Sequence, residues 1–501
     1  MKRNVLEWLE TTAAGFPDKV VFSDQNRSIT AAFVQECARA IGSSIAEKGI
    51  CRKPVAVISG RHVLTPVTYL GVVYSGCFYA PIDSSLPVAR INLILDTLQP
   101  ALILTDRVNA ELLSQLAYEG KTMIAEEAMA HPIHMEQLEA IRRFAVETDP
   151  LYVIFTSGST GRPKGVITSH QSLMCYIEAY TKVMEITAED VLVNQSPLDY
   201  IAAIRDIYLP LYRACSMVII PKEYFMTPAV LFDYMNTHHV TAVGWSVSAL
   251  TVPASLGAFA HGRPEYLRKV CFSGSVMPGK CLRIWQEALP QARFVNQYGP
   301  TEATASCTYY VVEEQVTDET ILPIGIPYEN YRVFLLKGDN TPVKPGEEGE
   351  ICVTGPILAL GYYHDPERTA ASFVQNPLND CYRELMYRTG DIGVLREDGI
   401  LEFHGRMDRQ IKHLGHRVEL DEVERAAALT EGVAECCVIY RKDKEQIILF
   451  YTGEASKKQI AVDMRRILPG FMIPRKIVPL QTLPKLANGK TDMKTLQEMD
   501  I

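Results

Sequence analysis

The chain has 501 residues, of which 47% are hydrophobic and 22% are charged, and these are ordinary values for a globular protein. The composition excludes an intrinsically disordered chain, and the length, enough for roughly three domains at ~150 residues each, excludes a small disulfide-stabilised module. The net charge of −9, from 50 basic and 59 acidic residues, argues against a dedicated nucleic-acid-binding protein, whose surface carries a basic excess.

The termini and cysteines indicate where the protein works. Glu7 and Glu10 interrupt the first residues, so these do not form a signal peptide, and no run reaches the ~18 apolar residues that a membrane helix needs. The twelve cysteines include no C-x-x-C and no zinc-type spacing. We therefore expect mostly buried thiols in a reducing compartment and a soluble, cytoplasmic protein without a membrane or nucleic-acid partner.

The first two-thirds of the chain alternates strand and helix patterns. Apolar runs at 54–58, 101–105 and 217–220 predict buried strands, and the spacing at 64–74 and 89–98 predicts helices. This alternation is typical of βαβ units and a parallel sheet, which makes the fold class α/β.

The sequence pattern changes near residue 321. Short strands at 331–336, 349–354 and 400–404, joined by turns, predict a more antiparallel, barrel-like region.

The last part of the chain predicts a small α+β unit. It follows a boundary at 405–409 and consists of a polar strand pair, a helix starting near Asp421, strands at 434–440 and 446–452, and a helix at 458–468. We therefore divide the chain into a large domain, 1–405, and a small domain, 406–501.

A loop rich in glycine and hydroxyl side chains follows an apolar strand and is the first candidate site. It contains Thr156, Ser157, Gly158, Ser159, Thr160, Gly161 and Lys164. Glycines let backbone N–H groups turn towards an anion, and hydroxyls and an ammonium add donors, so the loop suits a polyphosphate. It is not a P-loop, because Lys164 precedes a glycine rather than Ser or Thr. The alternative is an ordinary flexible loop.

Three further segments carry candidate groups. In 294–303, Tyr298 offers a ring for a base and Glu302 a carboxylate for Mg²⁺. Asp391 could accept hydrogen bonds from ribose hydroxyls, and Lys490 follows an Asn-Gly turn. Taken singly, Tyr298, Asp391 and Lys490 are each more often structural or solvated than catalytic.

Together and in this order, these segments resemble the adenylate-forming superfamily over about residues 10–495. The family contains acyl-CoA synthetases, luciferases and the adenylation domains of nonribosomal peptide synthesis. The stretch 405–420, GRMDRQIKHLGHRVEL, is similar to the peptide-synthetase branch, and it lacks the Gly-Gly pair more common in CoA ligases. The layout resembles stand-alone enzymes that load a carrier protein.

The resemblance implies an ATP- and Mg²⁺-dependent ligase with two half-reactions. A substrate carboxylate first attacks the α-phosphate of ATP and releases pyrophosphate. Lys490 would bridge the carboxylate and the α-phosphate, Thr301 would contact the α-phosphate, and Glu302 would bind Mg²⁺. The residues implied to bind ATP or AMP are Thr156, Ser157, Gly158, Ser159, Thr160, Gly161, Lys164, Gly274, Ser275, Asn296, Gln297, Tyr298, Gly299, Thr301, Asp391, Arg406 and Lys490.

In the implied second half-reaction a thiol displaces AMP after the small domain rotates. Asp408 matches the hinge position, and the loop around Gly415 would replace Lys490 in the site. The thiol is expected on the phosphopantetheine arm of an acyl or peptidyl carrier protein. Because no carrier follows Ile501, we expect the carrier to act in trans.

The substrate pocket departs from the family pattern. Activators of α-amino acids usually place an Asp against the substrate ammonium. Aligned on the following helix, that position holds Ile201, which predicts a substrate without an α-ammonium. Aligned on the motif, it holds Asp199, which predicts an amine placed differently, for example a β-amine.

Arg205 would fall near the pocket floor, either paired with Asp206 or another acidic residue, or binding an anionic group of the substrate. The other wall candidates are Ala202, Gly244, Cys271, Ser273, Gln297 and Ala305.

Two other functions remain open at this point. An acyl- or aryl-CoA ligase would use the same adenylation chemistry with a different thiol. An inactive homologue acting as a scaffold is the alternative from outside enzymology, and the retention of Lys490, Glu302 and Asp391 argues against it.

Overall fold

The computed structural model describes residues 3–158, 161–485, 491–499 and 501. Lys490, Ser159 and Thr160, three of the predicted site residues, lie outside this range. Within it, no helix is both long and apolar enough to cross a lipid bilayer.

The large domain contains two mainly parallel sheets. In the first, five parallel strands are extended at one edge by two antiparallel strands. In spatial order its strands are Gly361–Tyr362, Lys164–Ser169, Pro150–Thr156, Phe78–Asp83, Pro54–Ser59, Leu102–Thr105 and Thr122–Ile124. The strands predicted at 54–58 and 101–105 are confirmed, and the first of them is buried along its whole length.

The second sheet has nine strands, of which six consecutive ones are parallel. In spatial order they are Ile326–Pro327, Thr308–Val312, Arg293–Tyr298, Lys269–Ser273, Ala242–Ser246, Val191–Asn194, Ser216–Ile219, Val20–Ser23 and Ser28–Thr30. The two sheets share an extensive apolar core, as the predicted βαβ units require.

Helices of the large domain cover both sheets. The helices predicted at 64–74 and 89–98 are confirmed, at Leu64–Tyr74 and Val88–Leu98. The other α-helices of the domain are Leu6–Gly15, Ala31–Ala46, Ala125–Met129, Met135–Arg143, His170–Met184, Ala203–Arg213, Pro228–Thr237, Val247–Ser255, Gly279–Ala288 and Pro366–Ser372. Short 3₁₀ turns lie at Arg107–Gln115, Lys222–Met226, Ala258–Ala260 and Thr301–Ala303.

A third sheet, entirely antiparallel, closes the large domain. Its strands are Arg332–Leu336, Glu348–Thr354, Phe373–Gln375, Leu385–Leu395 and Leu401–Arg406. This is the antiparallel region predicted from residue 321 onwards, and its last strand leads directly into the small domain.

The small domain is an α+β unit with its own apolar core. A hairpin, Gln410–His413 with His416–Glu419, comes first. The strands Val433–Arg441, Gln446–Gly453 and Lys476–Pro479 then form a sheet, accompanied by helices Leu420–Ala428, Lys457–Arg465 and Met493–Glu498 and by 3₁₀ turns at Lys442–Lys444 and Gly470–Met472.

The twelve cysteines are all free. Seven are buried, as expected, whereas Cys51 and Cys381 are exposed.

Candidate active site between the two domains

A cleft between the two domains lies at the carboxyl ends of the parallel strands of the nine-stranded sheet. Gln195, Ser246, Ser273 and Gly299 line it at the ends of four of these strands or directly after them. Parallel α/β sheets bind ligands at this edge, because side chains and backbone groups of several strands converge there. The opposite wall comes from the small domain, through Gln410, Lys412, Leu414, Gly415, His416 and Arg417.

The glycine-rich loop connects two paired strands next to the cleft. Thr156 and Lys164 are partners in the antiparallel ladder, so the strands on either side of the loop pair with each other. A Cβ on Gly158 would collide with the carbonyl of Arg162, and Gly161 has a φ of 79°, so both positions need glycine. Ser157 Oγ donates to the carbonyl of Arg417 at 2.8 Å, which joins the loop to the small domain.

Glu302 is fully buried and stands in a short 3₁₀ turn, Thr301–Ala303. Its carboxylate accepts hydrogen bonds from Lys164 Nζ at 3.2 Å, from Tyr362 Oη at 2.7 Å and from Arg417 Nη1 at 2.8 and 3.0 Å. Thr301 lines the cleft beside it. One buried carboxylate therefore joins the glycine-rich loop, the first sheet and the small domain.

Electrostatics keep this carboxylate ionised. Burial alone would raise the pKa of Glu302, but the cations of Arg417 and Lys164 hold it well below its usual range. Burial, followed by the nearby charge of Arg417, lowers the pKa of Lys164 to about 8.

The donor set of this cluster is compatible with Mg²⁺. An ionised, buried carboxylate supplies the oxygen ligand that Mg²⁺ prefers. In the arrangement described, however, both oxygens of Glu302 are bound by Arg417. A metal ion at Glu302 would have to displace this arginine.

At the other end of the cleft, Asp391 is held on two sides. It accepts from Tyr298 Oη at 2.5 Å and from Arg406. Arg406 Nε also donates to Asp408 at 2.7 Å, so the candidate ribose carboxylate and the candidate hinge residue share one arginine. The ring of Tyr298, the candidate adenine platform, has Lys412 Nζ 5.9 Å from its centroid.

The other residues expected to bind the nucleotide differ in their surroundings. Asn296 donates to the carbonyl of Pro323 at 2.8 Å, and Gln297 donates to Tyr328 Oη at 2.5 Å. Gly274 lines the cleft with a φ of 100°, and its neighbour Ser275 is exposed.

The structure divides the candidate acid-pocket residues into two groups. Those that line the cleft are Ile201, Ala202, Arg205, Ser273 and Ala305. Those that do not are Asp199, Gly244, Cys271 and Gln297. A Cβ on Gly244 would collide with the Arg205 guanidinium, so this glycine makes room for the arginine, whereas Cys271 is fully buried.

Arg205 is 2% exposed and lies next to Asp206 on helix Ala203–Arg213. Its Nε lies 3.7 Å from Asp206, which is beyond hydrogen-bond distance, and one terminal nitrogen donates to the carbonyl of Gly244. Burial raises the pKa of Asp206 to about 6. Burial would lower the pKa of Arg205, but Tyr176, Tyr180 and Asp206 raise it above its usual range.

Asp199 accepts a hydrogen bond from the backbone N–H of Asp83 at 3.3 Å. Burial and the nearby charge of Asp83 raise its pKa to about 7.

Sequence reasoning assigned no role to Lys412, Arg417 or Tyr362. Lys412 and Arg417 lie within the motif at 405–420, where their basic side chains were the available signal. Tyr362 carries no signal in the sequence, because it reaches Glu302 only through the pairing of strand Gly361–Tyr362 with Lys164–Ser169.

The α/β fold carries a hydroxyl-rich loop beside the buried Glu302, and Tyr298 and Asp391 at the other end of the cleft suit a nucleoside. These features are those of an adenylating enzyme. The chain belongs to the AMP-binding enzyme family: the model described as "AMP-binding enzyme" matches residues 9–363, and that of the "AMP-binding enzyme C-terminal domain" matches 422–490. It is an AMP-forming ligase of this family.

Related proteins align with nearly the whole length of this chain. Tyrocidine synthase 1 of Brevibacillus parabrevis is 29% identical over 100% of this chain, and the alignment covers 45% of the synthase. Zwittermicin A synthase ZmaJ of Bacillus cereus is 29% identical, with 96% of this chain and 92% of ZmaJ covered. Tyrocidine synthase 3 of B. parabrevis is 31% identical over 98% of this chain, which spans 8% of that synthase.

Solved structures share the fold. IdnL1 superposes with a TM-score of 0.80 at 26% identity, covering 97% of this chain and 99% of IdnL1. Holo-PA1221, a protein with adenylation and carrier (PCP) domains, gives 0.81 at 24% identity and 99% and 84% coverage. The o-succinylbenzoate CoA synthetase MenE of Bacillus subtilis gives 0.84 at 19% identity and 99% coverage of both chains.

Proposed function

We propose that the protein activates a carboxylic acid as its acyl-adenylate and then transfers the acyl group to the phosphopantetheine thiol of a separate carrier protein. Both half-reactions would use the cleft between the domains, with the large domain acting as a fixed base and the small domain, 406–501, turning near Asp408. The observation that carries this proposal is the insertion of the small-domain hairpin, through Arg417, into the Glu302 cluster.

In the first half-reaction, a carboxylate oxygen attacks the α-phosphorus and the bond to pyrophosphate breaks. Two anions must approach each other, so the main tasks are alignment and charge stabilisation. Lys490 supplies a cation between them and Thr301 a hydroxyl at the α-phosphate, while the 156–164 loop holds the outer phosphates. Glu302 would hold Mg²⁺, which supplies charge neutralisation at the phosphates.

In the second half-reaction, a thiol sulfur attacks the acyl carbon and AMP leaves. The hairpin residues Lys412 and Arg417 then face the cleft, where their charges compensate that of the departing AMP phosphate. The resemblance of 405–420 to the peptide-synthetase branch favours a carrier protein, and PA1221 combines adenylation and carrier domains. We place this reaction in the cytoplasm, where the twelve cysteines stay reduced.

A CoA ligase is the second candidate. MenE, whose fold is shared, is a CoA synthetase. The two functions differ only in the thiol that the second arrangement admits.

The charges of the cleft favour an acid without a free α-ammonium. Among the described residues that line it, Asp391 is the one carboxylate, and this group is already bound by Tyr298 and Arg406. Ile201, and not Asp199, faces the cleft. An ammonium next to the reacting carboxyl would therefore be buried without a counter-ion, which is costly.

Arg205 favours an acid with a second anionic group. Its Nε lies 3.7 Å from Asp206, beyond hydrogen-bond distance, while the residue lines the cleft. A carboxylate or another anion on the substrate would bind the part of this guanidinium that faces the cleft.

Pyrophosphate exchange across α-amino, β-amino, aryl and dicarboxylic acids tests the activation step. We expect dicarboxylic acids to give the highest kcat/KM. Transfer of the activated acid is then compared between CoA and a holo-carrier protein. Faster turnover with CoA would overturn the carrier assignment while leaving adenylation intact.

The substitution Arg205→Met tests the anion-binding role. We expect it to raise KM for the preferred acid about tenfold or more, the equivalent of ~1.4 kcal/mol or more, with little change in KM for ATP. Arg213→Gln is the control. Arg213 is an arginine of the same helix, and its side chain donates to the carbonyl of Ile186 instead of lining the cleft. Unchanged acid preference in Arg205→Met would refute the role.

A further inference from the structure

Two histidines and a glutamate meet on the large domain, outside the residues that line the cleft. Glu47 follows helix Ala31–Ala46 directly, and His131 and His134 lie in the segment between helices Ala125–Met129 and Met135–Arg143. His131 Nε2 is 3.0 Å from Glu47 Oε2, and His134 Nε2 is 2.8 Å from Glu47 Oε1. The ligand atoms of all three residues lie within 4.8 Å of one another.

The ring of His131 is oriented by its backbone contact. Its Nδ1 is 2.8 Å from the carbonyl of Pro132, and since a carbonyl only accepts, this contact calls for a proton on Nδ1. The other ring nitrogen, Nε2, then faces the Glu47 carboxylate at 3.0 Å as a candidate ligand beside it.

The backbone carbonyl of Pro132 is also the kind of partner that orients metal-bound histidines. A ligating imidazole usually donates its other N–H to a carbonyl or carboxylate, which fixes the tautomer and the ring direction. His134 is positioned in a related way, because its backbone N–H donates to Ser43 Oγ at 2.9 Å. Ser43 lies one helical turn before Glu47. The hydroxyl that holds the His134 backbone and the Glu47 carboxylate therefore lie on the same side of the helix.

We propose that Glu47, His131 and His134 form a binding site for a divalent transition-metal ion, with Zn²⁺ as the favoured ion. Two imidazoles and a carboxylate suit Zn²⁺, whose bonds of about 2.0–2.2 Å place neighbouring ligand atoms a little over 3 Å apart. Side-chain exposures of 24% for His131 and 46% for each of the other two leave room for a water as the fourth ligand.

The bound ion would join two elements that the chain keeps separate. It would connect the end of helix Ala31–Ala46 to the 131–134 segment, more than 80 residues further along, and so stabilise this edge of the large domain. The site does not depend on the adenylation reaction.

Equilibrium dialysis of the full-length protein against Zn²⁺, with metal counted by mass spectrometry, tests the proposal. We expect the wild type to bind one more equivalent than His131→Ala/His134→Ala. Glu47→Gln loses a ligand and should bind the ion at least about 10-fold more weakly, since even the outer partners of metal ligands contribute that much. His261→Ala, which changes another exposed histidine, is the matched control and should bind like the wild type.

Two further measurements keep the result interpretable. Pyrophosphate exchange and circular dichroism should be unchanged in the double variant, which shows that it is folded. The Co²⁺-loaded protein should lack thiolate charge-transfer absorption, which excludes exposed Cys51 or Cys381 as the ligands. Equal Zn²⁺ binding by the wild type and the double variant, or a thiolate spectrum that the double variant retains, would overturn the proposal.

Discussion

One guanidinium nitrogen of Arg417 donates to both carboxylate oxygens of Glu302, at 3.0 and 2.8 Å. Arg417 belongs to the small domain and Glu302 to the large one. The contact occupies the carboxylate that suits Mg²⁺. If Glu302 holds Mg²⁺ as proposed, hairpin insertion and metal binding would compete, which would separate the two half-reactions in time.

The first prediction concerns Arg417→Gln. Without the guanidinium, the inserted arrangement loses a buried ion pair, so we expect thiol transfer to slow much more than pyrophosphate exchange. Rates of exchange and of single-turnover transfer from preformed adenylate measure the two steps. Arg466→Gln is the control, because this exposed small-domain arginine pairs only locally with Asp463. Equal losses in both steps would contradict the competition.

The second prediction concerns Glu302→Gln. Removing the charge leaves Lys164 and Arg417 buried without their counter-ion, and it removes the candidate Mg²⁺ ligand. We expect exchange to fall by about 10²–10³-fold, the usual loss for a group that stabilises transition-state charge, and the Mg²⁺ concentration for half-maximal exchange to rise. Exchange assayed over a Mg²⁺ series checks both effects. An unchanged half-maximal concentration would exclude Glu302 as a ligand.

The third prediction is a pH dependence. Because the pKa of Lys164 is lowered to about 8, its cation is present below that pH and is lost as the pH rises through it. We therefore expect kcat/KM for ATP, which reports on the free enzyme, to fall on the alkaline side near pH 8. In Lys164→Arg the charge persists, so this fall should disappear. Parallel profiles for the two proteins would assign the titration to another group.

The fourth prediction concerns the ion pair between Arg90 and Glu422, which joins the two domains with side chains only 7% and 2% exposed. In Glu422→Gln the arginine is buried without its partner, which costs about 3–5 kcal/mol. This cost arises only while the two domains are in contact, because Arg90 regains its hydration when they move apart. We expect slower thiol transfer and a larger radius of gyration in solution scattering.

The double variant Arg90→Met/Glu422→Met is the control for that experiment. An apolar pair avoids the unpaired charge, so docking should recover relative to Glu422→Gln. A radius that stays the same in all three proteins would show that this pair does not hold the domains together.

Local patterns predicted much of the fold. The helix at 64–74 and the strands at 54–58 and 101–105 follow from apolar spacing, because buried faces must repeat with the period of the element. The glycine-rich loop and the Glu302 turn were found because their residue types are unusual together. Contacts between distant segments carried no such signal.

The parts of the site that the sequence did not predict arise where the small domain contacts the large one and where distant strands pair. Arg417 and Glu302 are 115 residues apart, and Tyr362 reaches the cluster through an edge strand. The two alignments of the substrate segment could not be separated by sequence, since one keeps the register of the following helix and the other keeps the motif at the expense of two inserted residues. Only the three-dimensional path of the chain places Ile201 in the cleft and Asp199 outside its lining.

The most direct test of the two-arrangement account is pyrophosphate exchange by Lys490→Ala, with the best acid from the substrate panel. The account predicts a loss of exchange of about 10²-fold or more, as for other transition-state charge stabilisers. It also predicts that transfer of a supplied acyl-adenylate to holo-carrier protein is retained, because the inserted hairpin serves that step. Exchange at the wild-type rate in Lys490→Ala would contradict the account.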